Sequence, residues 1–390
     1  MYLTKEEEQI LNGERGWANQ TCMKILVRLG DLFKADKLIP IGSAHVSGVS
    51  YKTLGDAPIE FLKTLADNGG RVRVRTTLNP QSLDPRYLVN KLPENLVEKQ
   101  LEILEQFDRM GLTQSLTCTP YHLSRVKPES HIAWAESSAV VYANSILRAN
   151  TNREGGPSAL AAGIIGKTPN YGVHKPENRQ PKVIVNVEAK LRDETDYGAL
   201  GVHLGKLLND KIPMIENLQK PSTTKLKQLS SALATTGMTN MFHSGTCAKM
   251  QGLERISVQD SDIKQTIEEL STSSSKKPDL VFLGCPHCSL SEMKQIAQLV
   301  QGKRVSSETE FWVCTSSHIK EAGKEYVDKI EKSGAHVLTG VCTVVSWTEK
   351  LGIETIMTNS AKTAYYAPTL CKAQTILAPM NDCLKTAFRG

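Results

Sequence analysis

The sequence lacks a hydrophobic stretch long enough to cross a membrane. Its longest apolar runs, such as SALAAGIIG at 158–166, fall well short of the roughly 20 residues that a spanning helix needs. Its start, MYLTKEEEQILNGERGW, is acidic and amphipathic, without the basic and apolar regions of a signal peptide. We therefore expect a cytoplasmic protein with no membrane partner, in a compartment that keeps thiols reduced.

Several familiar motifs are missing as well. The sequence contains no G-x-S-x-G, no H-E-x-x-H, no kinase motif and no dinucleotide fingerprint. The net charge is a modest +6, and the densest basic group, RVRVRTT at 71–77, predicts a strand with Arg71, Arg73 and Arg75 on one face. A solvated strand face is the first interpretation and an anion site the second. Because no aromatic residues are interleaved with these arginines, no nucleic-acid partner is predicted.

The length of 390 residues predicts two or three domains, and the exposed connector STSSSKKP at 271–278 separates two predicted regions, 1–270 and 279–390. The first opens with a helix that Thr4 and Glu7 start as a capping box. In the second, strands alternate with helices, which is typical of a doubly wound parallel sheet. The predicted fold class is therefore α/β.

Two loops of the first region carry polar groups. KLIPIGSAHVSG at 37–48 predicts a short strand that runs into a Gly/Ser loop holding His45, and LNPQSLDP at 78–85 predicts a second loop. His45 is either structural or a polar contact for an anionic substrate. The backbone N–H groups of residues 48–50 could assist such a contact.

Nine cysteines give the clearest functional signal. Cys285, Cys314 and Cys342 each follow a predicted strand of the second region, and Ser360 follows a fourth. In open α/β sheets, ligands bind beyond the carboxyl ends of the strands. Thiols gathered at that edge favour a site for a soft metal.

The motif Cys285-Pro286-His287-Cys288 allows three interpretations, which the residues alone leave open. It could be a redox dithiol, half of a zinc site that lacks a second pair, or part of an iron–sulfur site. His287 could shuttle a proton or cap the following helix, which Ser289 and Glu292 are predicted to start as a capping box.

Other thiols lie far from this motif in the sequence. LTQSLTCTPY at 112–121 predicts a strand that ends at Cys118, and Cys371 follows the loop that leaves another strand. Three thiolates from separate turns could bind three irons of a cluster and leave a fourth iron open to substrate. Cys22 and Cys383 lie inside predicted helices and are expected to be core residues.

Five segments resemble the aconitase X family: IGSAHVSGVSYKTLGDAPIEFL, TCTPY, WAESSAVVYANSILRANTNREGGPSALAAGIIGKTPNYG, LGCPHCS and TNSAKTAYYAP. The resemblance covers essentially the whole chain and implies an aconitase-like, multi-domain fold. It implies a hydro-lyase with a [4Fe-4S] cluster held by three cysteines, whose open iron acts as a Lewis acid on the leaving hydroxyl.

The resemblance also implies roles for individual residues. The expected cluster ligands are Cys118, Cys342 and Cys371, with Cys285 and Cys288 as alternatives. The expected substrate contacts are Gly48, Val49, Ser50, Asn79, Pro80, Ser360, Lys362 and His45. Glu136, Asn152 and Arg153 match the family's middle motif, where packing and catalysis are not separable by sequence.

Family members are either single fused chains or pairs of large and small polypeptides. The resemblance implies that this chain is a large subunit whose small partner carries a swivelling domain and the catalytic base. The implied substrate is phosphorylated: (R)-mevalonate 5-phosphate, converted to trans-anhydromevalonate 5-phosphate. The alternatives are a cis-3-hydroxy-L-proline dehydratase of the same family and a non-catalytic iron–sulfur protein.

Overall fold

Four sheets organise the chain in the computed structural model, which describes residues 1–246, 252–274 and 277–388. Within these ranges, no helix combines the length and the apolar character that a membrane crossing requires. Helices cover the larger sheets, so the predicted α/β class is confirmed.

The first domain is built on a parallel sheet with strand order β3-β2-β4, beside an antiparallel pair β1-β5. Its strands are β1 (Leu38–Pro40), β2 (Ser43–Val46), β3 (Arg75–Leu78), β4 (Ala133–Trp134) and β5 (Lys167–Pro169). Its helices are α1 (Lys5–Leu11), α2 (Trp17–Leu32), α3 (Tyr51–Leu54), α4 (Asp56–Asp67), α5 (Glu94–Arg109), α6 (Ser137–Ser145) and α7 (Gly156–Ile165). The capping box of Thr4 and Glu7 at the start of α1 is confirmed.

The small residues of the middle segment allow α6 and α7 to be buried almost completely. A Cβ atom at Gly163 of α7 would lie 2.7 Å from the Thr76 Oγ1 atom of β3. The helix therefore lies close to the sheet because this position has no side chain.

Three local predictions for this domain are wrong. His45 lies inside β2 and not in a loop, and β3 begins only at Arg75, so Arg71 and Arg73 precede the strand. The segment at 112–121 forms no strand: Thr113 makes a single bridge to Thr77, and the chain then runs irregularly to Cys118.

The second domain has a parallel sheet with the order β8-β7-β6-β9. Its strands are β6 (Val183–Val187), β7 (Pro213–Glu216), β8 (His243–Ser244) and β9 (Glu254–Val258). Its helices are α8 (Glu194–Leu208), α9 (Thr223–Thr236) and α10 (Asp260–Leu270). Helix α9 also reaches the third domain, where it contacts the first strand.

The third domain contains the predicted parallel sheet, whose five strands have the order β12-β11-β10-β13-β14. Its strands are β10 (Leu280–Cys288), β11 (Glu310–Thr315), β12 (His336–Thr339), β13 (Thr355–Thr358) and β14 (Gln374–Leu377). Its helices are α11 (Leu290–Leu299), α12 (Ser317–Ala322), α13 (Lys324–Lys332), α14 (Ala361–Leu370) and α15 (Met380–Ala387). The strand order reverses between β10 and β13, which is where a ligand crevice is expected in such a sheet.

Candidate active site

A cavity of about 230 Å³ lies where loops of the first domain meet the carboxyl ends of β10 and β13. The predicted residues on its wall are Gly48, Val49, Ser50, Asn79, Pro80, Cys118, Cys342 and Lys362. Residues from both domains are thus brought together, as a site between two domains requires.

Three other predicted residues are placed elsewhere. His45 lies behind Asn79 in β2, Ser360 is a buried N-cap whose hydroxyl accepts from the Thr363 N–H, and Cys371 ends α14. The Cys371 thiol contacts the carbonyl oxygens of Thr343 and Val344, each at 3.7 Å. These three residues are not on the cavity wall.

Cys285 completes a set of three cysteines on the wall, together with Cys118 and Cys342. It lies near the end of β10, which continues through Cys288 and does not turn at Cys285 as the motif suggested. Cys342 follows β12 and precedes a 3₁₀ turn at Thr343–Val345. Cys288 is buried in the third-domain core and is not on the wall.

The first-domain loops are fixed by contacts with helix α5 and with the third domain. Gly48 has a φ of 78°, a left-handed conformation that favours glycine. The Gln100 side chain of α5 donates to the Val49 carbonyl at 2.8 Å and accepts from the Tyr51 N–H at 3.0 Å. The Ser50 hydroxyl donates to the Val345 carbonyl at 3.2 Å, which joins the loop to the third domain.

A buried ion pair crosses the cavity between the two domains. The Lys362 ammonium lies 2.6 Å from Glu136 Oε1, and the same carboxylate accepts from Asn79 Nδ2 and from the Ser138 hydroxyl, both at 2.8 Å. Burial alone would raise the pKa of Glu136, but Lys362 and these hydrogen bonds outweigh it and lower the pKa to about 2. Glu136 is therefore ionised and fully paired.

Lys362 also faces the thiols. Burial alone would lower the pKa of its ammonium, yet the charge of Glu136 and the hydrogen bond to Glu136 raise the pKa above the usual value. Burial raises the pKa of Cys342 to about 12, and burial raises that of Cys118 well above its normal range. Without a metal these two thiols are protonated at neutral pH, so metal binding there would release protons.

The three thiols do not form a site for a single ion. Within the described residues, no three His, Cys, Asp or Glu side chains converge closely enough for that. An iron–sulfur cluster places different demands on its ligands, because each thiolate binds a different iron. Three thiols on one cavity wall match the number of cysteine ligands that a cluster with one open iron needs.

His45 orients the amide of Asn79. The His45 Nε2 atom lies 3.1 Å from Asn79 Oδ1, and its Nδ1 atom lies 2.7 Å from Thr77 Oγ1. Since Asn79 donates through Nδ2 to Glu136, its oxygen is the acceptor, and His45 carries its proton on Nε2. Burial lowers the pKa of His45 to about 4, which keeps the ring neutral in this arrangement.

Because the His45 ring is neutral in the folded protein, we expect the free energy of unfolding to depend on pH. Between about pH 6.5 and about pH 4 the unfolded chain binds a proton on His45 that the folded chain does not, so stability falls as the pH falls. From about pH 7 to about pH 5, this ring should lower the free energy of unfolding by about 2 kcal/mol. Urea unfolding at both pH values should show a smaller loss for His45→Gln than for the wild type. The exposed His318, changed to Gln, serves as the control, and equal losses in wild type and His45→Gln would contradict the assignment.

Two residues that the sequence left undecided are structural. The Asn152 amide donates to the Tyr171 carbonyl at 3.0 Å and accepts from the Val173 N–H at 3.0 Å. The Arg153 guanidinium donates to the carbonyls of Ala234 and Gly237, at 2.7 and 2.8 Å, and so caps the end of α9. Glu136 is the member of that motif that reaches the cavity.

Comparisons with known proteins cover the whole chain. Family models described as the first, second and third domains of aconitase X match residues 1–177, 181–268 and 278–389. The predicted region 1–270 thus contains two of these domains, and the boundary between them lies just before β6 of the second-domain sheet. A crystal structure of Thermococcus kodakaraensis aconitase X in its holo-form superimposes with a TM-score of 0.92 at 43% identity, covering 99% of this chain and 100% of that one.

Relatives of known activity include large subunits of phosphomevalonate dehydratase. The Methanocaldococcus jannaschii protein is 45% identical, covering 99% of this chain and 100% of its own, and the Methanosarcina mazei protein is 43% identical, covering 100% and 98%. The cis-3-hydroxy-L-proline dehydratase of Pseudomonas aeruginosa is 33% identical, and the match covers 98% of this chain but 69% of that protein.

Proposed function

The chain belongs to the aconitase X family, and from this membership we propose that it is the large subunit of a hydro-lyase acting on (R)-mevalonate 5-phosphate. The reaction removes water and gives trans-anhydromevalonate 5-phosphate. The relatives named as large subunits of phosphomevalonate dehydratase, 37–45% identical over at least 94% of this chain, support this substrate.

One structural observation carries the proposal: three thiols and a buried lysine share the wall of one cavity. Cys118, Cys285 and Cys342 would hold a [4Fe-4S] cluster, and this trio replaces the one expected from sequence, in which Cys371 stood in place of Cys285. When bound, such a cluster supplies a Lewis acid for the departing tertiary hydroxyl.

The chain's own groups would bind and orient the substrate. Lys362 has three N–H donors, of which Glu136 takes one, so the ammonium retains donors for a carboxylate or phosphate oxygen. Gly48, Val49 and Ser50 line the same cavity, and their backbone N–H groups would suit an anionic oxygen. His45 and Glu136 both bond to Asn79, which fixes the direction of its amide toward the cavity.

The chain offers no suitable base within the described cavity wall. Glu136 is the carboxylate there, and with a pKa of about 2 it is a weak acceptor for a proton on carbon. This supports a base supplied by a small subunit, the partner that the names of the relatives imply. We propose that the small subunit carries a swivelling domain that closes over the cavity.

The cavity's charge favours the phosphorylated substrate over a hydroxyproline. A hydroxyproline brings an ammonium group, which needs an unpaired carboxylate for recognition. The Glu136 carboxylate is neutralised by Lys362 and accepts from Asn79 and Ser138. Lys362 thus offers an ammonium to an anion, and Glu136 offers no unpaired carboxylate to a cation.

Turnover with the two candidate substrates tests the proposal. The chain is co-expressed with its small subunit, reconstituted with iron and sulfide without oxygen, and incubated with (R)-mevalonate 5-phosphate. We expect a product lighter by one water in mass spectrometry, and none when the large chain is incubated alone.

The same complex incubated with cis-3-hydroxy-L-proline provides the comparison. Turnover of the hydroxyproline and not of the phosphate ester would move the assignment to the other branch of the family. An iron-loaded complex inactive on both substrates would favour a non-catalytic iron–sulfur protein. Activity of the large chain alone would contradict the need for a partner.

A further inference from the structure

His287 belongs to the segment that carries Cys285, and its buried side chain contacts the segments that carry Cys118 and Cys342. It is 1% exposed and lies two residues after Cys285 in β10. Its contacts reach the residue before Cys118 and the residue before Cys342. The two roles considered from the sequence, a proton shuttle and a helix cap, make no use of these contacts.

The contacts of His287 are specific. Its ring Nε2 atom lies 2.8 Å from the Val341 carbonyl oxygen, and its Nδ1 atom lies 3.2 Å from Thr117 Oγ1. Its backbone N–H donates to the Cys118 sulfur at 3.2 Å. His287 is therefore hydrogen-bonded both to the segment before Cys342 and to the segment that contains Cys118.

The hydrogen-bond partners fix the proton on the ring. A carbonyl oxygen can only accept, so Nε2 carries the proton, and Nδ1 then accepts from the Thr117 hydroxyl. Both ring nitrogens are used in this neutral form, which leaves neither to shuttle protons. The helix that follows is capped by Ser289, whose hydroxyl accepts from the Glu292 N–H, so His287 is not its cap either.

The segment around His287 is itself held from outside by helix α9. The Lys227 ammonium donates to the Pro286 and His287 carbonyls at 3.2 and 3.0 Å, and it pairs with Glu292 at 2.6 Å. The Gln228 amide donates to the Cys285 carbonyl at 3.1 Å. The imidazole therefore projects from a fixed stretch of backbone toward the other two segments.

We propose that His287 is a positioning residue that holds the Cys118, Cys285 and Cys342 segments in one arrangement and thereby governs how firmly the metal cofactor is retained. The irregular segment before Cys118 gains most from it, because this segment forms no strand or helix of its own and its hydrogen bonds to β3 end at Thr117, whose N–H donates to the Leu78 carbonyl at 2.9 Å. N–H donation to a ligating sulfur also tunes an iron–sulfur cluster. The identity of the cofactor rests on the proposed function; the geometric role of His287 does not.

The test compares two His287 variants in the complete complex. His287→Ala removes both ring contacts, whereas His287→Gln keeps an N–H donor in place of Nε2 for the Val341 carbonyl. We expect His287→Ala to lose iron to a chelator about 10- to 100-fold faster than the wild type, as losses of groups supporting metal ligands typically do. His287→Gln should fall between them.

Hydrogen exchange of the metal-free protein gives a second readout. His287→Ala should speed amide exchange around residues 117–119 and 341–343, far from it in sequence, and His287→Gln should speed it mainly around 117–119. His174→Gln is the matched control, because His174 is equally buried, at 3% exposed, on a different cavity. It should leave both iron retention and these segments unchanged.

Each outcome supports or overturns the proposed role of His287. Iron loss by His287→Ala at the wild-type rate, or faster exchange confined to 285–288, would overturn the proposal. If His287→Ala does not fold, the same comparison is made with His287→Gln. A wild-type complex that binds no iron would refute the proposed cofactor, and hydrogen exchange would still decide the role of His287.

Discussion

Cys285→Ser is expected to abolish both iron retention and dehydration. Serine leaves the cavity wall with two thiols, and the third iron loses its ligand. Lewis-acid catalysis by a metal contributes several kcal/mol, so activity should fall at least about 1000-fold, given about 1.4 kcal/mol per factor of ten. Iron and sulfide per chain, visible absorption and turnover are measured on anaerobically prepared complexes.

Two matched cysteine variants sharpen this result. Cys371→Ser changes a thiol that faces the Thr343 and Val344 carbonyls, and Cys383→Ser changes one that faces the Ala378 carbonyl. Both should retain iron and activity. If Cys371→Ser lost its iron while Cys285→Ser kept it, the ligand set expected from the family resemblance would be right and the set proposed from the cavity would be wrong.

Lys362→Met is expected to cost both stability and activity. It leaves the Glu136 carboxylate buried without its cation, a change that typically costs about 3–5 kcal/mol. Lys362 keeps 15% of its side chain exposed, so we expect the lower end, about 3 kcal/mol. Urea unfolding gives the free energy, and turnover should fall to background because the cavity loses its ammonium.

A double variant separates the two effects. Glu136→Gln combined with Lys362→Met removes both charges, so much of the stability should return while activity stays lost. Lys385→Met is the surface control: its partner is Asp382, the lysine is 66% exposed, and such pairs contribute at most about 1 kcal/mol. A single Lys362→Met variant as stable as the wild type would argue against a buried, compensated pair.

The third domain was predictable because its signals are local. Strands and helices alternate at short spacing, and the capping box of Ser289 and Glu292 marks one helix start unambiguously. The parallel direction of the strands then follows from the connections between them. The edge of the sheet where thiols gather could therefore be located from the sequence.

The short elements of the first domain gave weaker signals. Strand β2 has four residues between glycine- and serine-rich stretches, so His45 looked like a loop residue. The stretch before Cys118 has the composition of a strand, but Leu116 adopts a φ of 42°, and this stretch joins β3 through the Thr113 bridge, the Ser115 hydroxyl and the Thr117 N–H without forming a ladder. Composition does not show where a positive φ interrupts the pairing with a neighbouring strand.

The choice among cysteines and the role of Glu136 depend on long-range contacts. Cys285 lies near the end of β10 and Cys371 ends α14, and what distinguishes them is that one thiol faces the cavity and the other faces two carbonyls. Glu136 reads as an ordinary helix N-cap, and its partner Lys362 is 226 positions away. No local pattern in one sequence pairs such distant residues.

The division of the cavity wall between the first and third domains has a consequence for the biogenesis of the protein. Cys118 is synthesised before Cys285 and Cys342, and the first and third domains must dock before all three thiols share a wall. With the proposed ligand set, the cofactor could be loaded only after Cys342 has been synthesised and the two domains have docked. Once loaded, it would add a link between two domains that already share backbone hydrogen bonds, from the Gln81 N–H to the Gly340 carbonyl and from the Cys342 N–H to the Gln81 carbonyl. By binding the folded form alone, it should delay the separation of these domains.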